Sequence, residues 1–403
     1  MDHACASSGG HLIYRKGLDL KRAVAASLIA DYHSDIVERV KAAGFRHDTT
    51  SITVHLAREY GFCYGVDRAV DYAYQARHRF PERRVYLTGE IIHNPLVNDR
   101  LRALGIRFLT DPGESAANLE AGDVVILPAF GVPITVLLAL ERRGCTLVDT
   151  TCGSVLNVWK TVRRYAQDGF TAVIHGKVRH EETQATASQA LHHPRGRYLV
   201  ILDRAEAAEV CDYIRAGGDK RAFLARFRDL ASDGFDPDVD LDRVGLANQT
   251  TMLMSESLAI SEQFRNAMRG RYGEAALAEH FRSFETICSA TQDRQDAVVA
   301  LLDEQALDLM IVIGGYNSSN TGNLARICAE RLPTYHIADA DCLMSAQEIR
   351  HRPVGAHSEL TTANWLPAGR PLCVGVTAGA STPDVIVGAV IEKLEAFAQT
   401  PGF

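Results

Sequence analysis

Three cysteines stand in the same local setting at widely separated points of the sequence. Cys63 lies between two glycines in GFCYGVDRAV, Cys152 follows a short apparent strand in VDTTCGSV, and Cys288 occupies a strand-to-helix junction in ETICSATQDRQDAV. A thiolate at the start of a helix has a lowered pKa, which suits a metal ligand or a nucleophile. One such cysteine is more often a structural residue, whereas three in the same setting favour a shared metal site.

Three cysteines in one local setting suit an iron–sulfur cluster. Three thiolates around a cluster leave one iron without a protein ligand, which is needed if a substrate is to bind the metal. The sequence contains no CxxC pair, which disfavours zinc ribbons, thioredoxin-type sites and the ferredoxin spacing. Nine scattered cysteines are not a disulfide framework, so we expect a reducing compartment. The other six are assigned to packing: Cys5, Cys145, Cys211, Cys328, Cys342 and Cys373.

The remaining candidate side chains share one feature, because each follows a predicted strand and precedes a predicted helix. They are His93, Asn94, Lys177, His180, Glu181, Glu182, Asn317, Ser318, Ser319, Asn320, Ser381 and Thr382. Hydroxyls, amides, imidazoles and helix N-terminal amides together form a binding site for an anion. A single loop of this kind is more often a helix cap or a turn. Their occurrence after several strands predicts a diphosphate site.

The elements that must position these residues are those of an α/β protein. Short β-rich runs such as FTAVIHG, LDLMIVIGG and LCVGVTAG alternate with helical stretches, which predicts largely parallel sheets with crossover helices. Ligands of open α/β sheets bind beyond the carboxyl ends of the strands. We expect three α/β units around a central iron–sulfur site, at residues 51–150, 151–270 and 271–403, which carry Cys63, Cys152 and Cys288 respectively.

Two further segments complete the predicted organisation. Residues 1–50 form an N-terminal extension with a helical stretch near Lys21–Ala43, where apolar residues recur at helical spacing. The charged segment Asp203–Val244 is predicted to be an insertion that contains a helix and a turn.

Composition excludes several classes of protein. The 403 residues are 46% hydrophobic and 23% charged, which is typical of a globular chain and argues against disorder. A net charge of −7 makes nucleic acid a poor partner. No apolar run approaches the roughly 20 residues that span a bilayer, and no signal peptide is evident. We therefore expect no membrane association and a cytoplasmic protein, or one of the plastid stroma if the source is a plant or alga.

The motifs occur in an order that resembles a known enzyme family. They are GFCYGVDRA, EIIHNP, DTTC, HGKVRHEE, NQTTM, ICSATQDRQ, GGYNSSNTG and VGVTAGASTPD. With these motifs the chain resembles the 4-hydroxy-3-methylbut-2-enyl diphosphate reductase (LytB) family from about Tyr14 to about Leu394. The YRKG, the HGKVRHEET form and the extra segment before ANQTTM are similar to the cyanobacterial and plastid branch.

This resemblance implies an oxidoreductase of the methylerythritol phosphate pathway of isoprene biosynthesis. Its last step converts (E)-4-hydroxy-3-methylbut-2-enyl diphosphate into isopentenyl and dimethylallyl diphosphates, with two electrons, two protons and loss of water. The resemblance further implies three α/β units around a [4Fe-4S] cluster, with Cys63, Cys152 and Cys288 as ligands and one open iron. It suggests ferredoxin as the electron donor and leaves room for a homodimer.

Roles for the polar residues also come from the resemblance. Glu182 would deliver the proton that turns the departing hydroxyl group into water, and Thr250 and His180 would complete its proton relay. The side chains that would hold the diphosphate are His93, His180, Ser318, Ser319, Asn320 and Ser381. One position departs from the family pattern, because shorter bacterial enzymes carry histidine where this chain has Phe130. We hypothesise that Lys177 compensates for the missing contact electrostatically.

Two other functions fit the same residues. One is a different iron–sulfur reductase or dehydratase that acts on another phosphorylated substrate. The other is an α/β protein that binds a diphosphate or nucleotide without catalysis. Anaerobic spectroscopy tests the binding-only alternative, and turnover with the allylic diphosphate discriminates between the enzymes.

Overall fold

The computed structural model of the chain describes residues 4–6, 12–284, 286–367 and 370–399. Mostly parallel sheets covered by helices confirm the predicted α/β class. The chain divides into two compact units. Of the described residues, unit 1 comprises 16–114, 289–367 and 370–399, and unit 2 comprises 4–6, 12–15, 115–284 and 286–288. The three-unit division at 51–150, 151–270 and 271–403, with an extension at 1–50, stays a prediction.

The strands of the described residues, in chain order, have the following bounds. They are β1 (Ala4–Ala6), β2 (Leu12–Tyr14), β3 (Arg46–Asp48), β4 (Ile52–Leu56), β5 (Val85–Leu87), β6 (Arg107–Phe108), β7 (Val124–Leu127), β8 (Thr146–Asp149), β9 (Thr171–His175), β10 (Tyr198–Ile201), β11 (Val244–Asn248), β12 (Phe281–Ser283), β13 (Leu309–Ile313), β14 (Thr334–Ile337), β15 (Glu348–His351), β16 (Leu360–Ala363) and β17 (Leu372–Ala378).

The helices of the same residues follow in chain order. They are α1 (Lys21–Tyr32), α2 (Asp35–Ala42), α3 (Tyr64–Arg79), α4 (Pro95–Ala103), α5 (Ile134–Arg142), α6 (Gly153–Gln167), α7 (Glu181–Ala190), α8 (Arg204–Ala216), α9 (Lys220–Arg226), α10 (Pro237–Asp240), α11 (Met254–Tyr272), α12 (Leu277–His280), α13 (Ser289–Glu304), α14 (Ser319–Ala329) and α15 (Asp384–Ala398), with short 3-10 helices at Ala116–Asn118 and Ala340–Cys342.

The main sheet of unit 1 has the strand order β14-β13-β17-β4-β3 and is parallel except at the edge strand β3. Its side chains alternate between two faces. Ile311 packs with α2 and α15 on one face, whereas Val312 packs with α13 and α14 on the other. Because β4, β13 and β17 run in the same direction, the loops that follow them begin at the same edge of the sheet.

Unit 2 contains two groups of strands. The first has the parallel order β10-β9-β11-β12, with Val173 and Leu246 packed against α8 and α11, and Ile174 and Ala247 packed against α6 and α7. The second contains β2, β8 and β7 in parallel, with β1 antiparallel to β2. The loops after β9, β11 and β12 therefore share one sheet edge, and those after β7 and β8 share another.

The helical stretch predicted near Lys21–Ala43 is present as two helices of unit 1. The backbone is extended at His33 and Ser34, which separates α1 from α2. Val37 and Val40 of α2 are fully buried in the core of unit 1. This part of the predicted extension is therefore integral to the unit.

The segment Asp203–Val244 contains more helix than the predicted helix and turn. Three helices, α8, α9 and α10, follow one another in it. Each begins after an aspartate whose side chain accepts hydrogen bonds from backbone N–H groups of the first helical turn, namely Asp203, Asp219 and Asp236. Within the described ranges, no helix has the length and apolar character that a bilayer crossing requires.

Candidate active site

The three predicted ligand cysteines occupy equivalent positions in the fold. Cys63 is the N-cap residue of α3, Cys152 is the N-cap residue of α6, and Cys288 directly precedes α13. All three are partly exposed thiols. The backbone N–H of each cysteine donates a hydrogen bond to a carbonyl oxygen in a loop that follows a strand. In chain order the acceptors are Ala380 at 3.2 Å, Ala129 at 3.0 Å and Thr250 at 3.2 Å.

Other cysteines of the chain have a different environment. Cys145, Cys211, Cys328 and Cys342 are buried, as the packing assignment predicted. Burial raises the pKa of the Cys211 and Cys328 thiols to about 12, so neither is a thiolate at neutral pH. Because metal binding requires the thiolate, these two residues are poor ligands.

In unit 1, the loops after β4, β13 and β17 meet around Cys63. The Ser381 hydroxyl donates to the carbonyl oxygen of His93 at 3.2 Å, and the side-chain oxygen of Asn320 accepts from the N–H of Ala380 at 2.9 Å. Ala380 is also the residue whose carbonyl accepts from Cys63. Four of the residues predicted from separate motifs therefore belong to one cluster in this unit.

The loop that leads into α14 exposes the helix N-terminus at this cluster. Ser318 is the N-cap residue, and its hydroxyl oxygen accepts from the N–H of Thr321 at 3.3 Å. Ser319 and Asn320 form the first turn and are buried. A side-chain carbon at Gly315 would lie 2.4 Å from the carbonyl oxygen of His93, so only glycine allows this close approach. Backbone amides at a helix N-terminus bind phosphate groups.

His93 has a fixed orientation. Its Nδ1 lies 2.9 Å from a carboxylate oxygen of Glu90 and therefore carries the proton that it donates to Glu90. This contact directs Nε2 away from Glu90. The imidazole ring is 7% exposed.

Arg294 is a residue of unit 1 that our sequence reasoning missed. Its guanidinium group donates to the carbonyl oxygen of Gly61 at 2.7 and 3.2 Å, and to that of Tyr60 at 3.4 Å. Gly61 has a φ of +68° and precedes Cys63 by two residues. Arg294 thus holds the turn that presents Cys63. An arginine inside a helical run carries no local sequence signal for this role.

In unit 2, Glu182 is a buried carboxyl group with two hydrogen bonds to one residue. The backbone N–H of Thr250 donates to Oε1 at 2.6 Å, and the Thr250 hydroxyl donates to Oε2 at 3.0 Å. Glu182 is 1% exposed. Since the carbonyl oxygen of Thr250 accepts from the N–H of Cys288, Thr250 joins the carboxyl group to a predicted ligand residue.

His180 lies at the N-terminus of α7, beside Glu182. The N–H of Glu182 donates to Nδ1 of His180 at 3.1 Å, so in the neutral ring the proton is on Nε2. The Glu181 carboxylate is 4.0 Å from the same Nδ1. An ion pair there would need a proton on Nδ1, which the backbone contact excludes, so we interpret this approach as a neighbouring contact only.

Phe130 is the residue at which we expect a departure from the shorter bacterial enzymes. Its ring meets the His180 ring edge to face, with centroids 5.4 Å apart and an interplanar angle of 79°. The following residue, Gly131, has a φ of +74°, and a side-chain carbon there would lie 2.4 Å from the ring of Trp159. Glycine is therefore required for the turn that places Phe130 against His180.

Gln249 is a second residue that sequence reasoning missed. Its side-chain oxygen accepts from the N–H of Lys177 at 3.0 Å and from the hydroxyl of Thr183 at 3.2 Å. Its amide nitrogen donates to the hydroxyl of Thr251 at 2.8 Å. Gln249 therefore ties the loop after β11 to the loop after β9. The exposed residue Lys177 lies in that second loop.

Direct contacts connect the two cysteines of unit 2 through the polar residues. The connected residues are, in order, Cys152, Ala129, Phe130, His180, Glu182, Thr250 and Cys288. Unit 1 separately gathers Cys63, His93, Asn320 and Ser381. Thiol donors, a buried carboxyl group and polar helix N-termini define an α/β protein equipped to bind a metal cluster and an anionic ligand.

Comparison with known proteins identifies the family. The model of the LytB protein family matches residues 54–395, and the chain belongs to this family. A relative from Gloeobacter violaceus named 4-hydroxy-3-methylbut-2-enyl diphosphate reductase is 52% identical, with 94% of this chain and 91% of the relative covered. A relative of the same name from Thermosynechococcus vestitus is 48% identical, with 94% of both chains covered. The predicted resemblance is confirmed.

One solved structure agrees with this assignment, and a second shares the fold. A structure of (E)-4-hydroxy-3-methyl-but-2-enyl diphosphate reductase, the terminal enzyme of the non-mevalonate pathway, is 28% identical with a TM-score of 0.50, and covers 86% of this chain and 100% of its own. The E-1-hydroxy-2-methyl-but-2-enyl-4-diphosphate reductase from Plasmodium falciparum is 19% identical with a TM-score of 0.62, and covers 88% and 90%. At that identity, the second match bears on the fold alone.

Proposed function

We propose that this chain reduces (E)-4-hydroxy-3-methylbut-2-enyl diphosphate to isopentenyl and dimethylallyl diphosphates. The chain is an oxidoreductase of the LytB family, and its relatives carry the name of this activity. In the reaction the allylic carbon–oxygen bond breaks, two electrons and two protons are consumed, and the hydroxyl oxygen leaves as water. The allylic system then carries a new carbon–hydrogen bond at one of its two ends.

The thiols suit the iron–sulfur cofactor of this family. Soft thiolates are the preferred ligands of iron–sulfur clusters, and a helix N-terminus stabilises the thiolate form. Cys63, Cys152 and Cys288 combine that position with partial exposure, in contrast to the buried cysteines. We infer that these three residues hold a [4Fe-4S] cluster with one open iron. Such a cluster supplies single electrons and a Lewis acid, which side chains cannot provide.

One observation supports the assignment of the proton donor most strongly. Thr250 contacts both Glu182 and the backbone of Cys288, so the buried carboxyl group lies one residue away from a ligand position. We assign Glu182 as the acid that protonates the departing oxygen. The Thr250 hydroxyl fixes the carboxyl group and can pass a proton to it. His180 presents Nε2–H as a second proton source, because its Nδ1 accepts from Glu182.

The remaining predicted residues suit binding of the diphosphate. In unit 1, the hydroxyl groups of Ser318 and Ser319, the amide nitrogen of Asn320 and the start of α14 are donors for phosphate oxygens. The Ser381 hydroxyl can donate to a phosphate group once it turns from the carbonyl oxygen of His93. His93 contributes Nε2, since Nδ1 is engaged with Glu90. The resemblance also assigns His180 to diphosphate binding.

Lys177 supplies positive charge where Phe130 replaces a polar side chain. Phe130 offers no hydrogen bond to a phosphate group and packs on His180 instead. Lys177 is exposed, and the side-chain oxygen of Gln249 fixes its backbone. An ammonium group attracts a diphosphate as a point charge without a fixed geometry, so an exposed lysine on a fixed backbone suits this role.

Anaerobic turnover tests the proposed function. The chain is reconstituted with iron and sulfide, and reduced methyl viologen is supplied with the allylic diphosphate. We expect two viologen electrons to be consumed for each substrate, with both isomeric products formed. Product dimethylallyl diphosphate in place of substrate is the control and should consume no electrons.

The electron count discriminates between the candidate functions. A dehydratase would convert substrate without oxidising the dye, and a binding protein would do neither. Either outcome would refute the proposed reduction. We also propose ferredoxin as the physiological electron donor and a cytoplasmic or stromal location. Both follow from the resemblance to the cyanobacterial branch, from which the relatives come.

A further inference from the structure

An open groove of about 730 Å³ lies on the surface of unit 2. Four of its ten lining residues are cationic and none is acidic, although the whole chain has a net charge of −7. The four are Lys160, Arg164, Arg265 and Arg282. Concentration of one sign of charge in a concave surface attracts a partner of the opposite sign.

The positive charge of the groove is only partly compensated. Arg282 pairs with Asp168 at 2.5 Å, and Arg265 pairs with Glu262 at 3.5 Å. Lys160 has no ion-pair partner in the part of the chain that the structure describes, and the same holds for Arg164. Both are exposed on one face of α6, four residues apart. Two uncompensated cations thus lie side by side along one wall.

Both walls of the groove lead to a predicted ligand residue. The helix α6 that carries Lys160 begins at Cys152, and eight residues of helix correspond to about 12 Å. On the other wall, Ser283 and Phe284 line the groove four to five residues before Cys288. A partner seated in the groove is therefore connected by short stretches of chain to both thiols of unit 2.

An aromatic residue at the rim completes the surface. The side chain of Phe284, which lines the groove, is 57% exposed. Aromatic residues and arginine are enriched at protein interfaces relative to the rest of the surface. A small anion needs no such apolar contact, so the groove suits an acidic protein surface.

We propose that this groove is the docking site of the acidic protein that delivers electrons to the reductase. This inference rests on the proposed function, since a reduction that consumes two electrons requires an external donor. Electron-transfer complexes bury little surface and dissociate quickly, and they depend on charge attraction for fast association. Lys160 and Arg164 attract the carboxylates of the donor, and Phe284 provides the apolar contact.

Charge reversal at the groove tests the inference. The variant carries Lys160→Glu and Arg164→Glu, and the matched control carries Arg221→Glu and Arg228→Glu, two exposed arginines of unit 2 outside the groove. A plant-type ferredoxin serves as the acidic donor and methyl viologen as the small one. We expect the ferredoxin KM of the groove variant to rise about tenfold or more. Viologen-driven turnover should be unchanged, and the control variant should resemble the parent protein with both donors.

A binding measurement separates failure of this inference from failure of the proposed function. Ferredoxin titrated onto the reconstituted protein should bind the parent with an affinity that falls steeply with salt, and should bind the groove variant at least tenfold more weakly. Equal ferredoxin affinity in the groove variant and the parent would overturn the docking site, whatever the turnover. An equal loss in the control variant would also overturn it, because attraction would then be a property of total charge. Loss of viologen turnover in the parent would refute only the proposed function.

Discussion

Glu182→Gln exchanges one carboxyl oxygen for an amide group of nearly the same size. The amide oxygen can still accept from the N–H of Thr250, which is 2.6 Å from Oε1 in the parent. The Thr250 hydroxyl, now 3.0 Å from Oε2, can rotate and accept from the amide nitrogen. The amide group has two N–H donors, and the Thr250 hydroxyl can accept from only one of them. We expect a stability cost of about 1–3 kcal/mol, the cost of a buried donor left without an acceptor.

The catalytic effect of this substitution should be much larger than its structural effect. Glutamine has no proton to transfer, and loss of a positioned general acid lowers rates by about 100-fold to 10,000-fold. This range corresponds to about 3–5 kcal/mol in the activation barrier. Because the proton moves only in the transition state, kcat should fall while substrate affinity changes little.

Anaerobic steady-state kinetics with reduced methyl viologen measures the change in kcat. Cluster absorption and substrate affinity are measured on the same sample. Glu181→Gln is the matched control, since it removes the same charge from the adjacent residue, whose side chain is 54% exposed. We expect the control to keep nearly full activity. A Glu182→Gln variant with intact cluster and a kcat within a few-fold of the parent would refute the assignment of Glu182 as the acid.

Three further predictions concern the surroundings of the site. Burial lowers the pKa of His336 to about 4 from the ordinary 6.5, and its Nε2–H donates to the carbonyl oxygen of Gly314 at 3.0 Å. As the pH falls, the unfolded chain therefore protonates His336 before the folded chain does. The free energy of unfolding decreases below pH 6.5, by about 2 kcal/mol between pH 7 and pH 5. Urea unfolding should show a smaller loss of stability between pH 7 and pH 5 in His336→Asn than in the parent. An equal loss in both proteins would contradict this prediction. Gly131→Ala introduces a side chain at positive φ against Trp159 and should lower the free energy of unfolding, measured with urea, by about 1–3 kcal/mol. A variant as stable as the parent would show that the turn tolerates a side chain. Lys177→Ala should raise the substrate KM about two-fold to five-fold with kcat unchanged, because an exposed charge contributes at most about 1 kcal/mol. Lys177→Arg should restore the parent KM. An unaltered KM in Lys177→Ala would exclude the hypothesis that Lys177 compensates for the contact that Phe130 does not make.

Local patterns predicted the elements around the site well. The strand-to-helix junctions at Cys63, Cys152 and Cys288 follow from an apolar run, small residues and a helical run, and all three are present. Parallel strands place their carboxyl-end loops at one sheet edge, so the polar motifs of unit 1 could be grouped in advance. The individual contacts between these motifs, such as that between Ser381 and His93, could not be predicted from the sequence.

Long-range pairing was beyond the sequence pattern. The strand β4 lies beside β17, more than 300 residues later, and no local signal specifies a parallel neighbour at that separation. Gln249 and Arg294 were missed for a related reason, since each acts on a backbone group brought near only by the fold. The basic groove was missed because its cations come from α6, α11 and β12 and form no basic run in the sequence.

In our proposal, Cys63, Cys152 and Cys288 together hold the cluster of a reductase. The most direct measurement is iron content and cluster absorption after anaerobic reconstitution of the three single cysteine-to-serine variants, with Cys373→Ser, a partly exposed cysteine in β17, as control. We predict that each of the three variants loses cluster absorption and viologen-driven turnover, and that Cys373→Ser retains both. A full, active cluster in any one of the three variants would contradict the account.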